Sequence, residues 1–447
     1  MRFDDTIAAI ATPPGRGAIA IVRVSGPDVR ALAARIAPSV RLRPRYAHYA
    51  PILDEDGNAI DRGLVFFAPA PHSYTGEDTL ELHVHGSPIV ARETLRALLA
   101  YGARLAEPGE FTRRAFLNGK MDLHAAAAVG DLIDAESRSA ARAALANLGG
   151  GLASHVRQLR ASLATILEEL SGAIDFPDEV PEPDRQALDR ALASIVDDLE
   201  RLRHDGEVGR LVREGVSVAI VGPPNAGKSS LLNALLGEER ALVSEIAGTT
   251  RDTIEESIAV DGVLIRLVDT AGIRSHADRL ESAGIERTRR ALASARIALV
   301  VVDGSRPLEP EAQAVLAETA ERDRVVFANK ADLGDRGARE IGDGAIVGTV
   351  DDIRTLAEIR MAIARVGWGG ERPDLERPHL ASLREFEAVN DALDALRRAR
   401  ATLAAGEPSD LIVGELQRAF ASLGHVSGDI AAEEVVTGVF ARFCIGK

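Results

Sequence analysis

The sequence predicts a multidomain protein of α/β and α segments: an N-terminal α+β domain, a discontinuous helical bundle and an α/β domain inserted into that bundle. Short strand-like runs alternate with short helical stretches in residues 1–118. Alanine- and leucine-rich helical patterns fill residues 122–171 and 183–204 and resume after residue 382. Between them, residues 216–366 alternate strands and helices in the order expected of a parallel sheet covered on both faces.

In the N-terminal segment, strands are expected at residues 18–22, 63–67 and 79–84, and a helix at residues 88–100. Further along, the triplet Gly149–Gly151 is expected to break the helical pattern, because a glycine inside a helix costs about 1 kcal/mol relative to alanine. This part of the chain is therefore predicted to be α+β followed by separate helices.

The inserted α/β segment has five apolar runs that predict strands, at residues 216–221, 263–268, 297–302, 324–328 and 345–348. Neither flanking helical segment resembles a complete domain, but together they can build one bundle. Insertion is feasible because the termini of a domain usually lie close together. The expected domains are residues 1–118, the first helical part 119–212, the inserted domain 213–372 and the second helical part 373–447.

The composition is that of a folded protein, with 46% hydrophobic and 27% charged residues in 447. A formal net charge of −15 argues against a whole-surface grip on nucleic acid, so any RNA contact needs a local basic patch or a partner. The single cysteine, Cys444, has no internal disulfide partner. The start, MRFDDTIAAIATPPG, lacks the order of a secretory signal, and apolar stretches of membrane-spanning length are absent, so a cytoplasmic protein is expected.

The stretch GPPNAGKSS, residues 222–230, follows one predicted strand and precedes a predicted helix. Gly222, Gly227, Lys228 and Ser229 match the phosphate-binding loop, in which backbone N–H groups surround a β-phosphate, the lysine reaches the β and γ oxygens and the hydroxyl ligates Mg²⁺. A glycine-rich turn that matches by chance is the weaker alternative, because the flanks are also correct.

The nucleobase that the site would recognise can be inferred from Asn329-Lys330-Ala331-Asp332, which follows another predicted strand. A carboxylate at Asp332 can accept the N1–H and exocyclic N–H of guanine, whereas adenine presents an acceptor there. Taken alone, this stretch is equally consistent with an exposed polar turn. Combined with the loop at residue 222, it predicts GTP binding.

Two further stretches resemble loops that respond to a γ-phosphate. Asp269 is expected to hold Mg²⁺ through water, and the Gly272 N–H to sense the γ-phosphate; Thr250 is expected to supply a second hydroxyl to Mg²⁺. Ile273 occupies the position where Ras-like proteins place a water-orienting glutamine, and its side chain cannot orient water. Glu281, Arg274 and Arg251 are the polar candidates for assisting hydrolysis, and each is alternatively a solvated charge.

Beyond these motifs, the chain resembles the tRNA modification GTPase family MnmE, also called TrmE, over essentially its whole length. The resemblance is carried by ATPPGRGAIAIVRVSG, SYTGEDTLELHVHG, PGEFTRRAFLNGKMDL, AGTTRD and the terminal CIGK. It implies an N-terminal folate-binding and dimerising domain, a discontinuous helical domain and an inserted P-loop, Ras-like GTPase domain. It also implies a homodimer that works with a flavoprotein partner, MnmG or GidA, which carries FAD.

The reaction that the resemblance implies adds an aminomethyl or carboxymethylaminomethyl group at carbon 5 of the wobble uridine of certain tRNAs, with a tetrahydrofolate derivative as one-carbon donor. It assigns K⁺ binding to Asn225, Ser244, Ile246 and Thr249, and water activation to Glu281. Ser244 stands where other members commonly carry threonine. Folate binding falls to Arg23, Glu81, Lys120 and Lys447.

With the motifs above, the residues expected to contact GTP are Asn225, Ala226, Gly227, Lys228, Ser229, Ser230, Ser244, Glu245, Ile246, Ala247, Gly248, Thr249, Thr250, Asp269, Thr270, Ala271, Gly272, Asn329, Lys330 and Asp332. Of these, Ser229 and Thr250 are the expected Mg²⁺ ligands.

Other readings stay open at three places. Glu81, His83 and His85 share one strand face and invite a zinc site, but the sequence offers no second cluster to complete it, so a strand lining a pocket is preferred. Residues 346–349 replace the usual Ser-Ala pair that contacts guanine O6, so that contact is expected to be weaker or shifted. The alternatives to a tRNA-modifying enzyme are a regulatory or ribosome-assembly GTPase and a structural scaffold.

Overall fold

The computed structural model describes residues 4–237, 256–260, 263–268, 292–368, 377, 379–428, 433–441 and 443–446. The chain divides into two compact units. The first comprises Met1–Gly130, Leu148–Leu192 and Asp391–Lys447, and the second comprises Asp131–Asn147 and Ala193–Asn390.

A six-stranded sheet organises the first unit, with strand order β3-β4-β5-β2-β1-β6. Its strands are β1 (Ile7–Ile10), β2 (Ile19–Ser25), β3 (Ala47–Leu53), β4 (Ala59–Ala68), β5 (Thr79–His85) and β6 (Arg104–Leu105). The strands pair antiparallel except β1 with β6. Helices α1 (Val29–Ile36) and α2 (Pro88–Ala100) cover one face, where alternate residues such as Val22, Leu82 and Val65 are fully buried.

Helices of the same unit include α3 (Glu110–Leu117) and α6 (Gly151–Asp175), with α13 (Ser409–Ser427) and α14 (Glu433–Phe440) from the end of the chain. Helix α4 (Leu123–Ile133) belongs to this unit up to Gly130. Leu123 and Ala126 pack against Val436 and Phe440. The helical pattern breaks where the glycines predicted it, because α5 (Arg138–Leu148) ends at Leu148 and α6 begins at Gly151.

The last described residues lie against the N-terminal sheet. Ile445 forms a β-bridge with Pro108, and a side chain at Gly446 would meet the Ile10 carbonyl oxygen at 2.3 Å. The end of the chain thus joins the N-terminal fold. The predicted folate residue Lys447 lies outside the described residues.

A second six-stranded sheet organises the other unit, in the order β12-β11-β10-β7-β9-β8. Its strands are β7 (Val216–Val221), β8 (Glu256–Val260), β9 (Val263–Val268), β10 (Ile297–Asp303), β11 (Arg324–Asn329) and β12 (Ala345–Val347). All pair in parallel except the edge hairpin of β8 and β9. The predicted strands are confirmed, and β8 is an additional one.

Helices cover both faces of this sheet. Those of the unit include α8 (Lys228–Gly237), α9 (Pro310–Glu318), α10 (Arg336–Ile341) and α11 (Ile353–Trp368), while α7 (Arg185–Glu214) and α12 (Leu383–Ala404) span residues of both units. Successive strand residues enter two cores: Val218 and Leu299 face one, Ala219 and Val300 the other. Burial on both faces explains why these strands appear in the sequence as continuous apolar runs.

Candidate nucleotide site

The loop at residues 222–227 leaves the carboxyl end of β7, one of the two middle strands of the second sheet, and leads directly into α8. In an open parallel sheet this edge is where ligands bind, and the start of a helix presents unpaired N–H groups to an anion. The phosphate-binding stretch predicted from the sequence therefore lies in its required context.

Two glycines shape the loop because their neighbours leave no room for a side chain. Gly222 has φ +152°, and a Cβ there would stand 2.0 Å from the Val301 carbonyl oxygen. Gly227 has φ +100°, and its Cβ would meet the Asn329 amide nitrogen at 2.2 Å. Both positions combine close approach with a backbone conformation that L side chains rarely adopt. The loop is thus a cradle of main-chain groups, which fits a phosphate.

Lys228 places its ammonium group inside this cradle. Its Nζ donates to the carbonyl oxygens of Gly222 at 2.8 Å and Pro223 at 2.7 Å. Burial lowers the pKa of Lys228. A phosphate oxygen near the ammonium group would favour its charged form.

Asn225 lies at the exposed tip of the loop with φ +60°. Asparagine tolerates this left-handed conformation better than most residues. Its side chain is thereby displayed on the outside of the loop, where the amide oxygen can serve as a ligand to a hard cation. Of the other predicted K⁺ and Mg²⁺ ligands, Ser229 lies half-buried at the start of α8, whereas Ser244, Ile246, Thr249 and Thr250 lie outside the described residues.

Asn329 ties the predicted base-recognition stretch to the phosphate loop. It is buried, and its amide nitrogen donates to the Ala226 carbonyl oxygen at 2.9 Å, while its Oδ1 accepts from the Lys330 N–H at 2.8 Å. The structure thus brings together two motifs separated by 103 residues. Asp332, the predicted guanine acceptor, is exposed at the same edge.

Residues 346–349 run beside this stretch. Gly348 donates its N–H to the Ala328 carbonyl and accepts from the Ala331 N–H, each at 3.1 Å. A side chain at Gly348 would meet the Thr355 hydroxyl at 2.2 Å. The backbone at the position expected to contact guanine O6 is therefore held close to Asp332, although its residues differ from the usual pair.

Asp303 is a residue of this site that sequence reasoning missed. It ends β10, and its carboxylate binds the Lys330 ammonium group at 2.8 Å. Burial would raise the pKa of Asp303, but hydrogen bonds from Lys330 and Ser305 outweigh it and bring the pKa to about 2, so the carboxylate is ionised at neutral pH. This ion pair holds Lys330, which has φ +65°. The sequence signal that could have identified Asp303 is a carboxylate at the carboxyl end of an otherwise apolar strand.

The sequence-predicted residues Ser244–Thr250, Asp269–Gly272 and Glu281 lie outside the described residues, as do Arg251, Ile273 and Arg274. The structure therefore supplies the phosphate loop and the base-recognition stretch. The predictions for the two γ-phosphate loops stay predictions.

The N-terminal sheet gathers a second group of predicted residues. Arg23 on β2 and Glu81 on β5 are directly opposite, and the Arg23 Nε donates to the Glu81 carboxylate at 3.0 Å. His83 contacts the same carboxylate at 3.1 Å. Burial opposes ionisation of Glu81, but His83 and Arg23 outweigh it and lower the Glu81 pKa. The Arg23 guanidinium also stands 5.6 Å from the centre of the Tyr74 ring.

Lys120 reaches the loop that carries Tyr74, donating from its Nζ to the Pro71 carbonyl oxygen at 3.0 Å. Arg23 and Lys120 thus both border residues 71–76, and Glu81 joins them through its ion pair with Arg23. His85, in contrast, is exposed and pairs with Asp61 at 2.8 Å. Among the described residues no group of three or more His, Cys, Asp or Glu side chains could hold a metal ion.

Strand β7 leads through a glycine-bounded loop into a helix, and the Asn-Lys-x-Asp stretch at the end of β11, two strands away in the sheet, is hydrogen-bonded to that loop. This arrangement defines a Ras-like P-loop nucleotide-binding domain. The chain matches two family models: the GTP-binding protein TrmE N-terminus over residues 6–120 and the MnmE helical domain over residues 123–444. The chain belongs to the MnmE (TrmE) family.

Relatives support the same assignment over the full length. The tRNA modification GTPase MnmE of Chloroflexus aurantiacus is 44% identical over 461 residues and is matched along 100% of both chains. That of Aquifex aeolicus is 39% identical over 446 residues, covering 99% of this chain and 100% of the relative. A solved G domain of the T. maritima FeoB iron transporter is 25% identical over 34% of this chain and 98% of its own, with a TM-score of 0.26, and the assignment does not depend on it.

Within the described part of the chain, none of the helices combines the length and the apolar character that crossing a bilayer requires.

Proposed function

We propose that this chain is a GTP-hydrolysing enzyme that takes part in tRNA modification. The observation that carries the proposal is the phosphate cradle between Gly222 and Lys228 with the Asn329 amide bonded to it. The relatives named above, which are tRNA modification GTPases, support the reaction class. The domains are proposed to be residues 1–118, 119–212, 213–372 and 373–447.

In this proposal each residue of the cradle has one task. Backbone N–H groups from Asn225 to Ser230 surround the β-phosphate, Lys228 neutralises charge on the β and γ oxygens, and Asp332 selects guanine by accepting two N–H groups. The hydroxyls of Ser229 and Thr250 would hold Mg²⁺, supported by Asp269, and the ion would neutralise phosphate charge. Glu281 orients the attacking water. In Ras-like proteins a glutamine has this role, at the position that Ile273 occupies in this chain.

Asn225 is proposed to bind K⁺ together with Ser244, Ile246 and Thr249 when two copies of the domain meet. Its exposed side chain and its left-handed backbone support this role, because they place the amide at the outer edge of the phosphate loop. A fixed monovalent cation there would stabilise the charge that develops during transfer, as an arginine finger does in other GTPases.

Potassium is expected to raise both the hydrolysis rate and the dimer fraction relative to sodium. The variant Asn225→Gly should lose at least about tenfold of the potassium-stimulated rate, because it removes the amide while keeping a residue that adopts φ +60° without strain. Its rate in sodium and its affinity for GTP should stay close to wild type. Steady-state hydrolysis at several protein concentrations, with sedimentation in each salt, measures these quantities. Equal wild-type rates in the two salts would remove the ion from the mechanism.

The N-terminal sheet is proposed to bind a tetrahydrofolate derivative through Arg23, Glu81, Lys120 and Lys447. The Glu81 carboxylate suits the adjacent N–H donors of a pterin edge, and the cations suit the glutamyl tail. With a flavoprotein partner, MnmG, that carries FAD, the homodimer would then add an aminomethyl or carboxymethylaminomethyl group at carbon 5 of the wobble uridine. The lowered pKa of Glu81 supports an ionised acceptor at neutral pH.

Glu81→Gln should weaken binding of 5-formyltetrahydrofolate at least about tenfold, since hydrogen bonds to a charged group are worth about 1.5–3 kcal/mol. Asp61→Asn is the matched control, because Asp61 pairs with the exposed His85 outside the proposed pocket. Isothermal titration calorimetry of both variants gives the comparison. Absence of folate binding by the wild type, with GTP hydrolysis intact, would instead favour a regulatory or ribosome-assembly GTPase.

A further inference from the structure

A cavity of about 620 Å³ lies in the first unit between the start of α7 and the end of α12. Arg185, Asp189 and Arg190 from α7 and Arg400 from α12 contribute its charged lining, while Leu403 and Ala404 contribute apolar surface. Neither the nucleotide site nor the proposed folate site uses these residues. The volume is within the range of small-molecule sites.

The charges of the lining do not cancel. Arg400 binds the Asp189 carboxylate at 2.8 and 3.3 Å, which uses the only carboxylate of the lining. Arg185 donates to the carbonyl oxygens of Leu403 and Glu407, at 3.4 and 3.3 Å, and so closes the carboxyl end of α12 without losing its charge to an acid. Arg190 is exposed and forms no hydrogen bond or ion pair in the described part of the chain. Two positive charges therefore remain in excess.

This local positive excess contrasts with the net charge of −15 of the whole chain. An acidic protein that contacts RNA must collect cations locally, because RNA affinity depends on the number of phosphates that Lys and Arg neutralise. Guanidinium groups fit phosphate oxygens through paired N–H donors, and the apolar wall can contact a sugar or base. Arg185 and Arg400 are already fixed by their own contacts, whereas the Arg190 donors are available.

We propose that this cavity binds a backbone phosphate of tRNA, with Arg190 as the contacting residue and Arg185 and Arg400 as the fixed cations around it. The inference rests on the proposed function, since it names where the chain would contact the RNA on which it acts. An acidic protein partner in place of RNA predicts that Arg190→Ala leaves tRNA affinity and its salt dependence unchanged, which is the outcome that overturns the site.

Binding of a fluorescent, unmodified tRNA transcript to the full chain is measured by anisotropy across a series of salt concentrations. Arg190→Ala should weaken binding about tenfold. The slope of log affinity against log salt should become shallower by about 0.7 to 0.9, the loss of one phosphate contact. Arg190→Lys should keep most of the slope, and Arg190→Glu should lose more affinity than alanine.

Arg418→Ala is the matched control, because Arg418 lies on α13 of the same unit, is exposed and does not line the cavity. It should stay within about twofold of wild type. All variants should keep wild-type GTP hydrolysis and thermal stability, since Arg190 contacts neither the nucleotide site nor the core.

If the wild type binds tRNA and the variants Arg190→Ala and Arg418→Ala show equal affinities and salt slopes, the cavity is not a phosphate site. That result does not affect the proposed function. If the wild type hydrolyses GTP but the full chain binds no tRNA, direct RNA contact is excluded. The cavity proposal is then wrong, and in tRNA modification the RNA must be bound by the partner protein.

Discussion

Replacement of Gly222 by alanine is expected to lower the affinity for GTP by at least about two orders of magnitude, corresponding to about 3 kcal/mol or more. The new Cβ would lie 2.0 Å from the Val301 carbonyl oxygen, which belongs to β10 and cannot move without breaking its sheet contacts. The backbone at φ +152° is also strained for alanine. The loop must therefore shift away from the geometry in which its N–H groups converge on a phosphate.

Gly237→Ala is the control for this variant. Gly237 ends α8 and adopts no positive φ, and a Cβ there would meet no atom of the described residues within 4 Å, so alanine should leave GTP affinity within about twofold. Titration with a fluorescent guanine nucleotide in Mg²⁺ measures both variants. Wild-type affinity in Gly222→Ala would show that the cradle described here does not hold the phosphates.

Replacement of Arg114 by alanine is expected to destabilise the N-terminal fold by about 3–5 kcal/mol, the usual cost of removing one partner from a buried ion pair. The Arg114 side chain is fully buried on α3 and binds Glu110 at 2.9 Å, Asp5 at 2.7 Å and Glu77 at 3.2 Å. Without it, Glu110, which is 3% exposed, keeps only the partially exposed Arg104 as a cationic partner among the described residues.

The effect of Arg114→Ala should depend on pH in a defined direction. Burial would raise the pKa of Glu110 and of Asp5, but hydrogen bonds from Arg104 and Arg114 outweigh it, so both values are lowered from 4.5 and 3.8. A carboxyl with a lowered pKa stabilises the folded state in full above its ordinary value and loses that contribution as the pH falls through the lowered value. The difference between wild type and variant should therefore shrink on acidification below about pH 4.

Hydrogen exchange of the β1, β2 and β5 amides, followed by mass spectrometry, reports the stability of this fold separately from the nucleotide domain. Arg96→Ala is the matched control, since Arg96 also contacts two carboxylates, Glu93 and Glu55, but its side chain is 54% exposed. It should destabilise the fold much less than Arg114→Ala does, because exposed ion pairs contribute little. An equal effect of the two variants would mean that burial does not set the strength of the Arg114 network.

Some strands were not predictable from local pattern. β3 contains Pro51, which argues against a central strand, and the structure places it at the edge of the sheet, where a missing N–H is tolerated. β8 is a short edge strand that pairs only with β9 in its sheet, so it lacks the continuous apolar run of a strand buried on both sides. In both cases the neighbour that stabilises the strand is set by the tertiary fold.

The sequence by itself determined the phosphate loop, because strand, turn and helix are contiguous and each part of the motif acts on groups only a few residues away. It also determined the α/β character of the second sheet, since strands buried on two faces must be apolar throughout. Only the tertiary structure decided that Asn329 bonds the loop 103 residues earlier and that Asp303 holds Lys330. Only it showed that Arg114 bridges to Asp5 and that Arg190, beside Arg400, has no ion-pair partner among the described residues. Those contacts form because the packed core brings residues that are distant in sequence within hydrogen-bonding distance. A local stretch of sequence does not specify which residues these are.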